Sequence, residues 1–300
     1  MPMKPKITTE KTAGAGKKPA GKRLVIAAAL LALLLAVYLF YGNTALTVTR
    51  IDIHSAKLPP EFDGFTIAQV SDLHNCPNSL LTDALAEAIR EAQPDAIFLT
   101  GDVIDYGLTD VDAAVKVIDK LLAIAPIYYV TGNHEARTGE YYRLSKTLRK
   151  MGVTELSDGF VTVRLHDDEI VIAGINDPLT AHEYAVPDRV IAENRLSALT
   201  YNRDMYTILL SHRPELMSTY ATFGVDLVFT GHAHGGLIRL PFIGGLFAPH
   251  QGFFPQYDGG VYHSGSTDMI VSRGIGNSGR SLRINDNPEL ILAVLHAGAE

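Results

Sequence analysis

Short runs of apolar residues recur along the chain and end abruptly at polar residues. Each run is about five to seven residues long and rich in Val, Ile, Leu, Phe and Tyr, a pattern typical of strands buried on both faces. Such runs predict buried strands whose carboxyl ends carry carboxylate, amide and imidazole groups. Five of them show this ending: FTIAQVSDLH, DAIFLTGD, PIYYVTGNH, YTILLSH and DLVFTGHAH.

The segments between these runs have helical periodicity. Strands that are buried on both faces need covering layers, and the alternation of strands with helices predicts the α/β class. Further along, FVTVRL and EIVIAGIND predict an antiparallel hairpin, and PDRVIAENRLSAL predicts a helix. Two predicted helices each place apolar residues on one face: Leu81, Ala84, Leu85, Ala88 and Ile89 in the first, and Val111, Val115, Ile118 and Leu122 in the second.

The polar residues at the strand ends predict a metal site. Loops beyond the carboxyl ends of strands converge on one crevice. Mixed imidazole and carboxylate ligands favour a borderline divalent metal over calcium. Two ions are favoured over one, because the candidates outnumber the roughly four to six positions around a single ion. The seven candidate ligands are Asp72, His74, Asp102, Asn133, His212, His232 and His234.

An uncharged apolar run, LVIAAALLALLLAVYLFY, occupies residues 24–41. At 1.5 Å per residue it reaches about 27 Å, enough to cross a bilayer. Seven basic residues and one acidic residue precede it, so the positive-inside rule predicts a cytoplasmic amino terminus. We therefore expect a basic cytoplasmic tail over residues 1–23, a single-pass signal anchor in the cell membrane over 24–41, and an extracytoplasmic catalytic domain. A cleaved signal sequence is the alternative.

The rest of the chain is predicted to hold one domain. Residues 42–60 contain a strand pattern and end in a Pro pair, which indicates a linker with a first strand, and residues 61–300 suffice for one large core. After the apolar run the chain carries 19 basic and 32 acidic residues, a net charge of −13 that disfavours nucleic-acid partners. The single cysteine, Cys76, permits no internal disulfide, and a small buried apolar role is favoured for it.

The ordered motifs resemble those of the calcineurin-like metallophosphoesterases. D-x-H, G-D-x-x-D, G-N-H-[DE], a lone His and G-H-x-H correspond here to residues 72–74, 101–105, 132–135, 212 and 231–234. The resemblance covers roughly residues 60 to 300. It implies a four-layer αββα sandwich in which two divalent ions (Mn, Fe or Zn, with Mn favoured in an assay) share an activated hydroxide that attacks a phosphoester.

The same resemblance implies roles for individual residues. Asp102 would bridge the ions, and His134 would face the substrate and assist the leaving oxygen, a task that suits imidazole because its ordinary pKa lies near neutrality. Asp102 and His134 are therefore the implied catalytic residues. The other ligands divide into two sets: Asp72, His74 and His234 for the first ion, and Asn133, His212 and His232 for the second.

Two carboxylates within the motifs leave alternatives open. Glu135 either orients His134 or is a solvated surface group, and the solvated role is favoured. Asp105 is either a loop or helix cap or a hydrogen-bond partner of His74 or His134.

The segment after His234, GGLIRLPFIGGLFAPHQGFFPQY, is long, apolar and interrupted by glycines. A hairpin packed on the sheet is the favoured prediction. The alternative is an interfacial loop that would allow a tethered enzyme to take a lipid substrate from the membrane. The side chains that would enter lipid are Phe242, Ile243, Leu246, Phe247, Phe253 and Phe254.

Three further residues are weaker candidates for substrate binding. Arg273 and Arg280 lie in a glycine-rich segment suited to anionic head groups. Arg283 lies in the same segment, but solvation at the surface explains it as readily as head-group binding does. Asp177 follows a predicted strand and either reaches the substrate or shapes a turn.

Additional sequence motifs point to one branch of this family. GHAHGG, IRLPF and VSRGIG, with the preceding span, are similar to the membrane-anchored branch of the family, which is linked to hydrolysis of UDP-diacylglucosamine in lipid A synthesis. Leu237 departs from the glutamine usual in that branch. The resulting prediction is a membrane-anchored phosphoesterase that acts on a phosphorylated, lipid-linked substrate, with no known protein partner. The alternatives are a non-catalytic metal-binding module and a metal hydrolase of an amide or non-phosphorus ester.

Overall fold

The computed structural model describes residues 20–278 and 281–298, together with residues 1, 3, 4, 6 and 8. Most of the predicted basic tail therefore lies outside the described residues. The chain divides into two compact units, residues 1–38 and 39–300. Helix α1, Ala20–Thr44, includes the uncharged run and extends beyond it. Its stretch Leu24–Thr44 has a mean hydropathy of 2.7, and this stretch is long and apolar enough to span a membrane.

The second unit alternates strands and helices, as predicted. Among the described residues, six α-helices follow α1: α2 Ser79–Ala92, α3 Val111–Leu122, α4 Asn133–Arg137, α5 Tyr141–Met151, α6 Asp188–Ala198 and α7 Met217–Thr222. The strands are β1 Thr47–Ser55, β2 Thr66–Val70, β3 Ala96–Thr100, β4 Ile127–Val130, β5 Thr154–Glu155, β6 Gly159–Leu165, β7 Asp168–Gly174, β8 Thr207–Leu210, β9 Leu227–Thr230, β10 Arg239–Leu240, β11 Gly244–Gly245, β12 Phe247–Ala248, β13 Gly252–Phe253, β14 Gly260–Ser264, β15 Thr267–Val271 and β16 Glu289–Ala297.

Two six-stranded sheets are found among the described residues. The first has the order β1-β16-β2-β3-β4-β5, and the second has the order β14-β15-β9-β8-β7-β6. The five runs that end in polar residues are β2, β3, β4, β8 and β9, so all five predicted strands are confirmed. They are divided between the two sheets. The hairpin formed by β6 and β7 is antiparallel, as predicted.

The sheets pack face to face and are covered by helices on their outer sides. Helices α2, α3 and α5 bury apolar residues against the first sheet, and α6 and α7 do so against the second. Between the sheets, the rings of Phe98 and Phe229 meet edge to face with centroids 5.1 Å apart. Burial of a side chain of this kind contributes roughly 1.5–3 kcal/mol. The four-layer αββα sandwich is therefore confirmed.

Strand β1 belongs to the first sheet and not to a linker. It pairs in parallel with β16 along its whole length, from Thr47 opposite Glu289 to Ser55 opposite Ala297. A strand was expected somewhere in residues 42–60, and the structure contains it. The compact domain nevertheless begins before the expected boundary at residue 61.

The apolar segment after His234 forms two short hairpins, β10–β11 and β12–β13, neither of which joins a large sheet. Phe247 and Phe253 face each other across the second hairpin with ring centroids 5.4 Å apart. Phe242, Phe253 and Phe254 are all exposed. The segment thus differs from the single hairpin packed on the sheet that was favoured by the sequence.

Candidate metal centre

The seven predicted ligands lie at one end of the sandwich, in loops that follow β2, β3, β4, β8 and β9. All seven are buried. Six of the seven, all except Asn133, form two groups whose ligand atoms lie within 4.8 Å of one another, and the groups share Asp102. The first group is Asp72, His74, Asp102 and His234, and the second is Asp102, His212 and His232.

Distances within the groups fit metal ligation. His74 Nε2 and His234 Nε2 are 3.1 Å apart, and Asp102 Oδ2 lies 3.2 Å from His212 Nε2. Among the described residues, the buried atoms Asn133 Oδ1 and His212 Nε2 have no hydrogen-bond partner. Buried polar atoms are rarely left unpaired, and a bound cation would satisfy both. The donor set therefore suits a pair of divalent ions with nitrogen and oxygen ligands.

Electrostatics of the centre favour cations. Burial opposes a positive charge on His212, but the carboxylates of Asp102 and Asp72 outweigh this and raise its pKa to about 10. Burial likewise opposes ionisation of Asp102, yet the imidazoles around it, His212 foremost, hold its pKa well below the ordinary value. The Asp102 carboxylate is thus ionised in a site that stabilises positive charge.

The loops hold their ligands with unusual backbone geometry. Gly101 has φ 92°, and a Cβ atom there would lie 2.6 Å from both Gly132 N and His212 Nδ1, so only glycine fits. A left-handed conformation in a non-glycine residue costs of order 1–3 kcal/mol and persists where the surroundings enforce it. Five of the ligands adopt it: Asp72 (φ 52°), His74 (46°), Asp102 (51°), His232 (67°) and His234 (48°).

Glu135 is buried, which corrects the expectation of a solvated surface carboxylate. Its Oε2 accepts hydrogen bonds from Asp102 N (2.9 Å) and Gly132 N (2.7 Å), and its Oε1 accepts one from Ile104 N (3.1 Å). Burial, reinforced by the charge of Asp102, raises its pKa to about 7. Glu135 therefore joins the loops after β3 and β4 and fixes the main chain of Asp102.

Asp105 combines the two roles left open by the sequence. Its Oδ1 accepts a hydrogen bond from Gly107 N (2.8 Å) within its own loop. Its Oδ2 lies 3.5 Å from His74 Nδ1 and 3.6 Å from His134 Nδ1. One carboxylate thus stabilises the loop and also faces the outer nitrogen of a metal ligand.

The His134 ring is oriented by the hydrogen bond that one of its nitrogens makes. Tyr106 N, which can only donate, lies 3.1 Å from His134 Nδ1, so Nδ1 accepts and the proton of the neutral ring sits on Nε2. Burial is the main cause that lowers its pKa to about 4, which keeps the ring neutral near pH 7. Nε2 lies 3.8 Å from Asp102 Oδ2. His134 therefore presents a hydrogen-bond donor beside the ligand shared by the two groups.

A pocket of about 270 Å³ opens over the ligands. The sequence did not single out several of its lining residues, notably Arg137, whose guanidinium carbon lies 5.6 Å from the Tyr106 ring centroid. His250 was also missed because it belongs to the β12–β13 hairpin and not to a strand end. Its Nδ1 lies 2.9 Å from Nε2 of His232. Other lining residues are Leu237, Phe247, Pro249, Ser278 and Ser281.

Of the weaker substrate candidates, Asp177 and Arg273 do not line this pocket. Asp177 is fully buried, and both of its oxygens accept hydrogen bonds from the Arg213 guanidinium. Its Oδ1 also accepts one from Leu179 N (3.0 Å), so the turn-shaping alternative is confirmed. Arg273 is 2.9 Å from Glu289 Oε1 through its Nη2 atom. Arg280 lies outside the described residues. Arg283 is fully buried, contrary to the surface solvation considered for it.

A four-layer sandwich with clustered carboxylate and imidazole side chains at its sheet ends is the arrangement expected of a metal-dependent hydrolase. Comparison with known proteins specifies the class. The family model described as Calcineurin-like phosphoesterase matches residues 65–236, and the chain belongs to this family.

Curated relatives carry consistent names. The chain is 34% identical over 253 residues to the uncharacterized metallophosphoesterase YkuE of Bacillus subtilis, covering 82% of this chain and 84% of the relative. It is 29% identical to the phosphodiesterase YaeI of Escherichia coli, covering 77% and 82%. A transmembrane protein with metallophosphoesterase domain from Bos taurus is 27% identical, covering 83% of this chain and 57% of that protein.

Among solved structures, TT1561 of Thermus thermophilus has a TM-score of 0.50 at 16% identity, covering 71% of this chain and 90% of that chain. This likeness shows a shared fold.

Proposed function

We propose that this metallophosphoesterase uses two divalent ions to hydrolyse a phosphoester or pyrophosphate bond. The supporting observation is the position of Asp102, whose carboxylate is common to both ligand groups. Divalent ions bound there would supply an activated water and withdraw charge from the phosphoryl oxygens. In this proposal Asp72, His74 and His234 hold one ion, Asn133, His212 and His232 hold the other, and Asp102 holds both.

The pocket residues contribute the remaining chemistry. His134, neutral and protonated on Nε2, donates a hydrogen bond to the leaving phosphoester oxygen and stabilises the negative charge that develops there, while the proton that this oxygen finally takes comes from solvent. Arg137 stands on the pocket wall as a cation for a nonreacting phosphate or other anionic group of the substrate. This assignment replaces Arg273 and Asp177, which are engaged elsewhere in the domain.

The substrate is proposed to carry an acyl chain, as in UDP-2,3-diacylglucosamine. Phe247 and Leu237 make the pocket wall partly apolar, and exposed aromatic residues of the β12–β13 hairpin lie next to it. A chain with a candidate span favours a lipid substrate, because both are held at the same bilayer. Membrane anchoring with a cytoplasmic amino terminus and an extracytoplasmic catalytic domain belongs to the same proposal.

The test uses full-length protein in detergent. Its metal content is measured, and phosphomonoester, phosphodiester and pyrophosphate substrates are assayed with Mn²⁺ before and after chelation. Cleavage that disappears on chelation and returns with Mn²⁺ is expected. Asp102→Ala should lower kcat by about 10³-fold or more, because removing a group that stabilises transition-state charge costs several kcal/mol. Asp112→Ala, an exposed carboxylate on α3, is the matched control.

Three outcomes would contradict the proposal. Near-native turnover by fully metal-loaded Asp102→Ala would exclude the shared-ligand role. Stoichiometric metal binding without turnover of any phosphorus substrate would favour a binding module. Cleavage of carboxylic esters or amides alone would identify a different hydrolase.

A further inference from the structure

A polar side chain in the last turn of α1 makes hydrogen bonds with the active-site region. The rim segment, defined as residues 277–278 and 281–283, lies beside the pocket. Asn43 Oδ1 accepts hydrogen bonds from Asn277 Nδ2 and from Arg283 N, both at 2.9 Å. Asn43 Nδ2 donates to Arg283 O at 3.1 Å. All of these atoms belong to the compact unit of residues 39–300.

The main chain of α1 approaches the rim segment closely at the same point. Gly42 is buried, and a Cβ atom there would lie 3.8 Å from Arg283 O. Asn43 Nδ2 also donates to Leu39 O of its own helix at 2.7 Å, and the hydroxyl of the neighbouring Thr44 donates to Phe40 O of the same helix at 2.7 Å. The contact with the rim segment is thus specific to Asn43 among these two polar residues.

The rim segment contacts both a proposed catalytic residue and a proposed metal ligand. Ser278 Oγ lies 3.4 Å from His134 Nε2, and Arg283 Nη2 lies 3.4 Å from His234 Nδ1. Ser281 lines the pocket over the metal ligands. A shift of this segment would therefore change the surroundings of both imidazoles.

The guanidinium of Arg283 is held in a fixed position relative to the main chain of the same residue. The side chain is fully buried. Its Nε donates to Asn277 Oδ1 (2.8 Å), its Nη2 to Gly276 O (2.7 Å) and its Nη1 to Asp286 Oδ2 (3.1 Å). A buried guanidinium with these bonds cannot move independently of the segment that carries it.

We propose that Asn43 is a positioning residue that couples the last turn of the candidate membrane span to the active site. By bonding both ends of the rim segment, its amide keeps Ser278 at His134 and Arg283 at His234. The span thereby contributes to the catalytic geometry in addition to any anchoring. This inference rests on the proposed function for the effect on turnover, and on geometry alone for the effect on the rim segment.

The first experiment measures hydrogen exchange in metal-free, full-length protein in detergent. Asn43→Ala should accelerate exchange of the Arg283 amide at least about fivefold, because that amide loses its acceptor. Asn43→Asp keeps an oxygen acceptor for Asn277 and Arg283 but loses the Nδ2 donor to Leu39 O and Arg283 O, so it should restore part of the protection. Thr44→Ala is the control and should leave the Arg283 amide unchanged. Unchanged exchange in Asn43→Ala would overturn the inference.

The second experiment measures Mn²⁺ affinity and turnover of the same variants. Asn43→Ala should weaken Mn²⁺ binding and lower kcat by about tenfold, with Asn43→Asp between Asn43→Ala and wild type, since groups that orient ligands typically carry effects of this size. Faster exchange with native metal affinity and native kcat would overturn the coupling. If wild-type protein binds Mn²⁺ but cleaves no phosphoester, the proposed function fails, while exchange and metal affinity still decide the role of Asn43.

Discussion

The carboxylate of Glu135 accepts a hydrogen bond from the main-chain amide of Asp102 at 2.9 Å. The same oxygen accepts from Gly132 N, so the loops after β3 and β4 are joined through one side chain. Asp102 belongs to both groups of candidate metal ligands, and its backbone adopts a left-handed conformation. Glu135 therefore stabilises the strained conformation that brings Asp102 to the centre.

Glu135→Gln is expected to disturb the metal centre without touching a metal. The amide nitrogen that replaces one oxygen would face a main-chain N–H donor, which leaves a buried donor unpaired and costs about 1–3 kcal/mol of stability. Metal affinity should fall roughly 10-fold to 100-fold. Calorimetric metal titration and thermal unfolding measure the two effects. Glu140→Gln, at a solvent-exposed position, is the control, and native metal affinity in Glu135→Gln would contradict the role.

His250→Ala should weaken metal binding through His232. The His250 ring faces Nε2 of His232, and a partner at the outer nitrogen fixes the orientation of a ligating imidazole. We expect the Kd for Mn²⁺ to rise about tenfold, with partial rescue by His250→Gln. An unchanged Kd accompanied by a higher KM would instead show that His250 contacts the substrate.

The exposed Phe253 and Phe254 side chains should affect the turnover of lipid substrates and not that of soluble ones. Phe253 is 71% exposed, and Phe254 is its exposed neighbour. The double variant Phe253→Ser, Phe254→Ser should lower turnover of a lipid phosphodiester in vesicles severalfold, because less apolar surface enters the bilayer. Turnover of a soluble phosphodiester should not change. Tyr142→Ser, at a 76% exposed position on α5, is the control, and equal loss of both activities would contradict an interfacial role.

Glu155 is expected to make part of the free energy of unfolding sensitive to acid. Burial opposes its ionisation, but hydrogen bonds from Ser145, Tyr141 and Arg149 outweigh burial and lower its pKa below the ordinary 4.5. Its stabilising contribution is therefore present above pH 4.5 and is lost as the pH falls through the lower folded-state pKa. Glu155→Gln should flatten the fall in unfolding free energy below that pH. Denaturant titrations at several pH values measure this, with Glu87→Gln as an exposed control.

The sequence predicted the strands and the clustering of the candidate ligands because their signals are local. Five apolar runs end at residues whose chemistry suits divalent metals, and all five are strands. The helical faces were predicted less well: in α3, Ala114 and Leu121 are fully buried, whereas the predicted Val115 and Leu122 are half-buried. The small Ala residue gave no strong apolar signal, although its side of the helix faces the sheet.

The burial of several charged residues was not predicted from the sequence. Glu135, Asp177 and Arg283 all lie inside the domain, where each has partners remote in sequence or supplied by a folded loop. Residue type alone favours the surface for such side chains, because burial requires compensating partners. Those partners become visible only when β3, β4 and the segment before β16 are brought together.

The parallel pairing of β1 with β16 has a consequence for biosynthesis. The first strand after the candidate span pairs with residues 289–297, so the ribosome must synthesise the chain as far as those residues before that pair forms. Until then β1 has an unpaired edge that can join other chains. A chain that ends before residue 289 would lack β16, the strand between β1 and β2. The unpaired strand edges would then be exposed to quality-control proteases.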